Sequence, residues 1–98
     1  MAGFSFKKAK RSTFEVELED GSLLHILPPS KRTMEILQEY LSSMTTETMV
    51  DAVALMMSDN AEGIAYTPDD FRHTPYQVMG QFVSDYQRFV EGNITGKN

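Results

Sequence analysis

Between Ser12 and Leu27 the chain alternates apolar and charged residues with a period of two. Phe14, Val16 and Leu18 run against Glu15, Glu17 and Glu19, and Leu24 and Ile26 follow after Asp20-Gly21. A period of two sends alternate side chains to opposite faces of a strand, and the break at Asp-Gly predicts a β-hairpin over residues 12–27. Parity selects the turn. A two-residue loop sets Val16 beside His25, whereas a three-residue loop with Gly21 in the left-handed conformation pairs Val16 with Leu24 and Phe14 with Ile26. The three-residue loop is expected. The opposite face carries Glu15 and Glu17 with Leu23, His25 and Leu27, which is only half polar. Phe4 and Phe6 have the spacing to fold over that face or to extend the sheet as a third short strand, and a partner chain has the same opportunity.

After Pro28-Pro29, which cannot donate to a ladder, the period changes from two to about 3.6. Ser30 is placed to cap a helix reaching about Ser43, with Met34, Leu37, Leu41 and Met44 on one stripe and Ile36 and Tyr40 beside it. Thr45 or Thr46 caps a second helix ending near Ser58, with Met49, Val50, Val53, Ala54, Met56 and Met57 on a broad apolar face and Leu55 off it. Thr67-Pro68-Asp69-Asp70 predicts a short helical turn, with proline at the first position and acids against the positive helix end. Thr74-Pro75-Tyr76-Gln77 reads as a Thr-x-x-Gln capping box opening a third helix. Val78, Met79, Phe82, Val83, Tyr86, Phe89 and Val90 fall on one wide face of it, and Gly92 stands where a C-cap is expected.

The fold class is therefore α+β: an N-terminal β-hairpin, then a small bundle of three main helices with one short turn, all in a single domain spanning 1–98. Within it, 1–11 is a basic segment, 12–27 the hairpin, 30–92 the helical region and 93–98 a frayed tail. Composition and charge narrow the chemistry. The absence of cysteine excludes disulfides, thiolate metal sites and thiol nucleophiles, and fits a reducing compartment. Nothing approaches the roughly 18 consecutive apolar residues of a membrane span, and no export signal is visible at the N-terminus, so a cytoplasmic location and no membrane partner are expected. Net charge is −5, and the first eleven residues hold Lys7, Lys8, Lys10 and Arg11 without an acid, which leaves −9 on the rest. A body that acidic repels phosphate backbones, so nucleic acid is not an expected partner.

The stretch Ser58 to Asp69 has a loop between helices with Gly63 at the sixth position of a twelve-residue calcium loop and Asn60 and Glu62 at the third and fifth. Ser58 at the first position, Ala65 at the eighth and Asp69 at the twelfth break the pattern, so an ordinary turn is the better reading. His25 and His73, the two histidines, sit in different elements, and neither a Gly-x-Ser-x-Gly turn nor a Gly-rich phosphate loop occurs. No catalytic residue, metal ligand or cofactor is expected. Asn93-Ile94-Thr95 matches a glycosylation acceptor by chance.

What remains is binding. Five of the seven methionines, Met34, Met44, Met49, Met56 and Met57, lie in the first two helices, and methionine suits both irregular core gaps and surfaces that adapt to a partner. The third helix carries more apolar surface than one small neighbour covers, with Phe89 and Val90 at its end expected beyond the hairpin's reach. The candidate partner-binding residues are accordingly Met56, Met57, Phe82, Tyr86 and Phe89. Self-association is another way to bury them.

The stretches Phe6-Lys7-Lys8-Ala9-Lys10-Arg11, Phe14 to Gly21, His25-Ile26-Leu27-Pro28-Pro29-Ser30-Lys31 and Tyr66-Thr67-Pro68-Asp69-Asp70, closed by the Phe82 to Gly92 helix, are similar in order to a known family. The chain resembles the small tail assembly chaperones of long-tailed phages and prophages of Gram-positive bacteria, over nearly its whole length. That resemblance implies a non-enzymatic protein of the host cytoplasm that coats and solubilises the tape measure protein, helps to recruit tail tube subunits, and is absent from the mature virion. It also implies a longer frameshifted product, of which this chain would be the short form. The alternative is a structural tail completion or connector component, joined to a ring through the hairpin edge and the basic segment.

Overall fold

A computed structural model describes residues 13–95, with side chains through residue 92. The basic segment 1–11, with Phe4 and Phe6 and the expected third strand, lies outside the described residues, as do the last three residues of the tail. The elements are β1 (Phe14–Glu17), β2 (Leu23–Ile26), α1 (Lys31–Ser42), α2 (Thr46–Ser58), a short 3-10 turn (Pro68–Phe71) and α3 (Tyr76–Thr95).

The hairpin has the three-residue loop. Leu18 N–H donates to the Ser22 carbonyl at 2.8 Å, Gly21 N–H donates to the Leu18 carbonyl at 2.9 Å, and Gly21 sits at φ 88°. The register pairs Phe14 with Ile26 and Val16 with Leu24, so Leu24 and Ile26 enter the core while Glu15 and Glu17 face outward. A left-handed residue at the third loop position lets a type I turn join strands of right-handed twist, and glycine takes that conformation without a Cβ clash.

The helix starts follow from side chains that accept backbone N–H groups otherwise left without partners. Ser30 Oγ accepts Thr33 N–H at 3.2 Å. Thr45 Oγ1 accepts Thr48 N–H at 3.2 Å, while Thr48 Oγ1 accepts Thr45 N–H at 2.7 Å, which makes a reciprocal cap with threonine in the place of the usual glutamate. The Asp70 carboxylate accepts Thr67 N–H at 2.8 Å at the head of the 3-10 turn. Two expectations for α3 need correction. Its first helical acceptor is the Pro75 carbonyl, bonded by Met79 N–H at 3.2 Å, so it opens one residue later than a Thr74 cap with Pro75 as first residue would have it. It also runs through Gly92 to Thr95, because Gly92 keeps an ordinary helical φ and never turns left-handed; the span 93–95, expected to fray, is helical. Glycine inside a helix costs only about 1 kcal/mol relative to alanine, too little to stop a helix of this length by itself.

The core is organised around α2. Met49, Ala52, Val53, Ala54, Met56 and Met57 are all buried, and β2, α1, the 3-10 turn and α3 each pack against this helix. Phe14 reaches from β1 to α3, with its ring centroid 5.8 Å from Phe82, 6.3 Å from Tyr86 and 5.5 Å from Phe89. Phe89 is thus within the hairpin's reach, contrary to expectation, and Val90 is buried; among the described side chains the exposed large apolar residues of α3 are at its other end, Tyr76 and Val78.

One buried polar residue fastens the turn after α2. Asn60, 7% exposed, donates from Nδ2 to the Met57 and Ile64 carbonyls at 2.6 and 2.8 Å and accepts Ile64 N–H on Oδ1 at 2.9 Å. Gly63, at φ 73°, closes the same turn. Replacing Asn60 by alanine strands three main-chain groups and is expected to lower stability by about 2–3 kcal/mol in urea denaturation, against about 1 kcal/mol for Thr45→Ala.

Candidate functional site

The five candidate residues do not form one open surface. Met56 is fully buried and Met57 5% exposed, so both belong to the core of the single chain and are corrected as contact residues; Tyr86, 1% exposed, is buried with them but borders the groove between α1 and α3. The reason is the position of α2, whose Met56 and Met57 side is closed by the other elements packed on it. Phe82 and Phe89 are half-buried, joined to Phe14 and Tyr86 in an aromatic cluster. Each such ring pair contributes roughly 0.5–1.5 kcal/mol beyond its buried area, so these side chains first of all hold the hairpin to α3.

An open apolar surface does exist, one helix away from where it was expected. α1 and α3 both rest on α2 but make no extensive contact with each other, and a groove of about 280 Å³ runs between them. Met34 and Leu41 are its partly exposed apolar residues, the buried Leu37, Tyr86 and Val90 lie beneath them, and Gln38, Gln87 and Glu91 stand at the rim. Met34 and Leu41 are only partly covered. A second, smaller hollow of about 210 Å³ lies between the hairpin end at Val16 and Leu18 and α3 at Val78 and Phe82, with Glu17 and Glu19 on its border.

Tyr86 links the groove to the core. Its hydroxyl is buried without a hydrogen-bond partner. Burial pushes the phenol well above the ordinary tyrosine range, and the nearby Asp59 carboxylate, itself raised by partial burial, pushes it further in the same direction. A phenol held neutral in this way neither donates a proton readily nor acts as a base.

Polar groups elsewhere are engaged with one another. The single Ser58 hydroxyl proton has the Ala54 and Tyr66 carbonyls within reach at 2.7 and 3.0 Å, and the hydroxyl oxygen accepts Tyr66 N–H at 2.9 Å. Glu62 turns toward His25, with 2.6 Å between Oε2 and Nδ1. The first, third and fifth positions of the imperfect calcium loop thus spend their oxygens inside the chain. A wider cleft of about 600 Å³ between the start of α2 and the 3-10 turn is lined by Glu47, Asp51, Asp69 and Arg72. Arg72 pairs there with Asp69 three residues before it, a solvent-exposed ion pair of a kind that contributes little. Among the described residues no three His, Asp or Glu side chains converge as a metal-binding group, and no helix is long and apolar enough to cross a membrane.

Set against known proteins, the chain matches no family model, no curated protein and no solved structure.

The groove and the core respond differently to truncation. Met56→Ala is expected to cost about 2–5 kcal/mol in chemical denaturation, and Leu41→Ala clearly less. Tyr86→Phe, which removes a buried hydroxyl with no partner, is expected to leave stability unchanged or raise it by about 1 kcal/mol in the same assay.

Proposed function

We propose that this chain is a tail assembly chaperone of a long-tailed phage or prophage, which binds an amphipathic helix of the tape measure protein in the groove between α1 and α3. The observation that carries the reading is the groove itself: two helices lie on a third without closing on each other, leaving the place that a fourth helix holds in a bundle. A helix with apolar residues at i, i+3, i+4 and i+7 fits such a place, and the flexible Met34 side chain adapts its wall to sequences that differ along a long partner. At the edge of the contact the amides of Gln38 and Gln87 are placed to donate or accept hydrogen bonds and the Glu91 carboxylate to accept them.

One groove of this size binds weakly. Many copies along one extended polypeptide hold it collectively, which suits a chaperone that must leave again when tail tube subunits take its place. The resemblance of the order of sequence elements to that of the tail assembly chaperones supports the same reading, and it carries with it work in the host cytoplasm and absence from the finished particle.

Co-expression with the tape measure protein from the same gene cluster tests this. The wild-type chain is expected to co-purify with its partner and keep it in the soluble fraction. Met34→Lys and Leu41→Lys are expected to weaken that binding at least about tenfold, the effect of placing a charge in an apolar contact, with thermal unfolding little changed. A tape measure protein that stays insoluble beside a folded wild-type chain overturns the reading. Recovery of the chain in fixed copy number from purified virions transfers it to a connector role.

A further inference from the structure

The hairpin is tied to the helical body along the outer edge of β2. Leu27 N–H donates to the Asp59 carbonyl and Ala61 N–H to the His25 carbonyl, both at 2.8 Å, and Asn60 bridges Ile26, so residues 59–61 lie beside β2 as a short third lane. His25 sits at the middle of this junction. Its main-chain N–H points outward to Glu62 Oε1 at 3.0 Å, which makes Glu15 and His25 a non-hydrogen-bonded pair of the hairpin ladder, the kind in which side chains stand closest.

The ring therefore lies between two carboxylates from different elements. Nδ1 is 2.6 Å from Glu62 Oε2 on the turn, and Nε2 is 3.5 Å from Glu15 Oε2 on β1. An ionised carboxylate only accepts, and a neutral imidazole has one N–H and one lone pair. In the neutral form, whichever tautomer is chosen, one carboxylate faces a lone pair. The imidazolium donates to both. We propose that His25, Glu62 and Glu15 form a proton-operated latch that clamps the 59–63 turn onto the hairpin while the imidazole is charged and loosens it when the imidazole is neutral.

Among the described residues the charged groups acting on the ring are both acids, Glu62 from the turn and Glu15 from the neighbouring strand. The Glu62 hydrogen bond holds the histidine above its ordinary range against the opposing effect of burial, with the charges of Glu62 and Glu15 adding to it. Glu62 in turn is held below the usual carboxylate range, first by the His25 main-chain N–H and then by the ring. The signs follow by linkage. The histidine contribution is complete below the unfolded-state histidine pKa and is lost as pH rises through the raised folded value. The Glu62 contribution is present above the unfolded-state carboxylate pKa and is lost as pH falls through its lowered folded value. The latch is thus closed between the carboxylate and histidine ranges and opens on either side.

Amide hydrogen exchange and histidine NMR on the full chain test this from about pH 5 to about pH 9, the span over which histidine titrates. Protection at Leu27 and Ala61, corrected for intrinsic exchange, is expected to fall severalfold as pH passes through the His25 titration, while Val53 in the middle of α2 holds. The His25 ring is expected to titrate above a free histidine, to return toward it in Glu62→Gln, and to move less in Glu15→Gln. A His25 that titrates as a free histidine, or Leu27 and Ala61 protection that follows Val53 at every pH, overturns the proposal.

Discussion

α2 is a thirteen-residue helix whose second half is almost wholly apolar, since Met49, Ala52, Val53, Ala54, Met56 and Met57 all need cover and Val50 and Leu55 are partly covered as well. An apolar face that wide is stable only when covered, so the remaining elements arrange themselves around it. α1, α3, the 3-10 turn and β2 each take one side. Ala52 and Ala54 leave room for close approach, and the methionines fill what the regular elements leave unfilled. Because α1 and α3 are each positioned by α2, the two need not meet. The groove is the by-product of that geometry.

Much of this architecture was legible in the chain because local chemistry decided it. The Glu-Val-Glu alternation and the Asp20-Gly21 break determine the hairpin and its register, since a slip by one residue would expose Leu24 and Ile26. Ser30 and Thr45 mark helix starts through bonds to residues three positions later, which a linear reading can see. The end of α3 was not legible. Gly92 is compatible with both a C-cap and a helix interior, and nothing nearby in sequence distinguishes the two.

The groove was harder to read, for a reason of the same kind. An apolar stripe such as Met34, Leu37 and Leu41 has identical spacing whether a neighbour covers it or a groove leaves it open, because periodicity reports which face is apolar and not what lies against it. Methionine content pointed to Met56 and Met57, and these went into the core, where a flexible side chain is equally useful. The partnership of His25 with Glu62 joins residues far apart in sequence, through a turn whose course depends on Asn60. No local pattern announces it.

The sheet has two margins, and they are treated differently. On β2 the chain seals its own margin with residues 59–61. On β1, a second copy approaching in antiparallel fashion about Val16 would bring Glu15 against Glu17 of its neighbour, carboxylate against carboxylate, twice. Two copies meeting in that register therefore repel along the described strands where one copy alone pairs within itself.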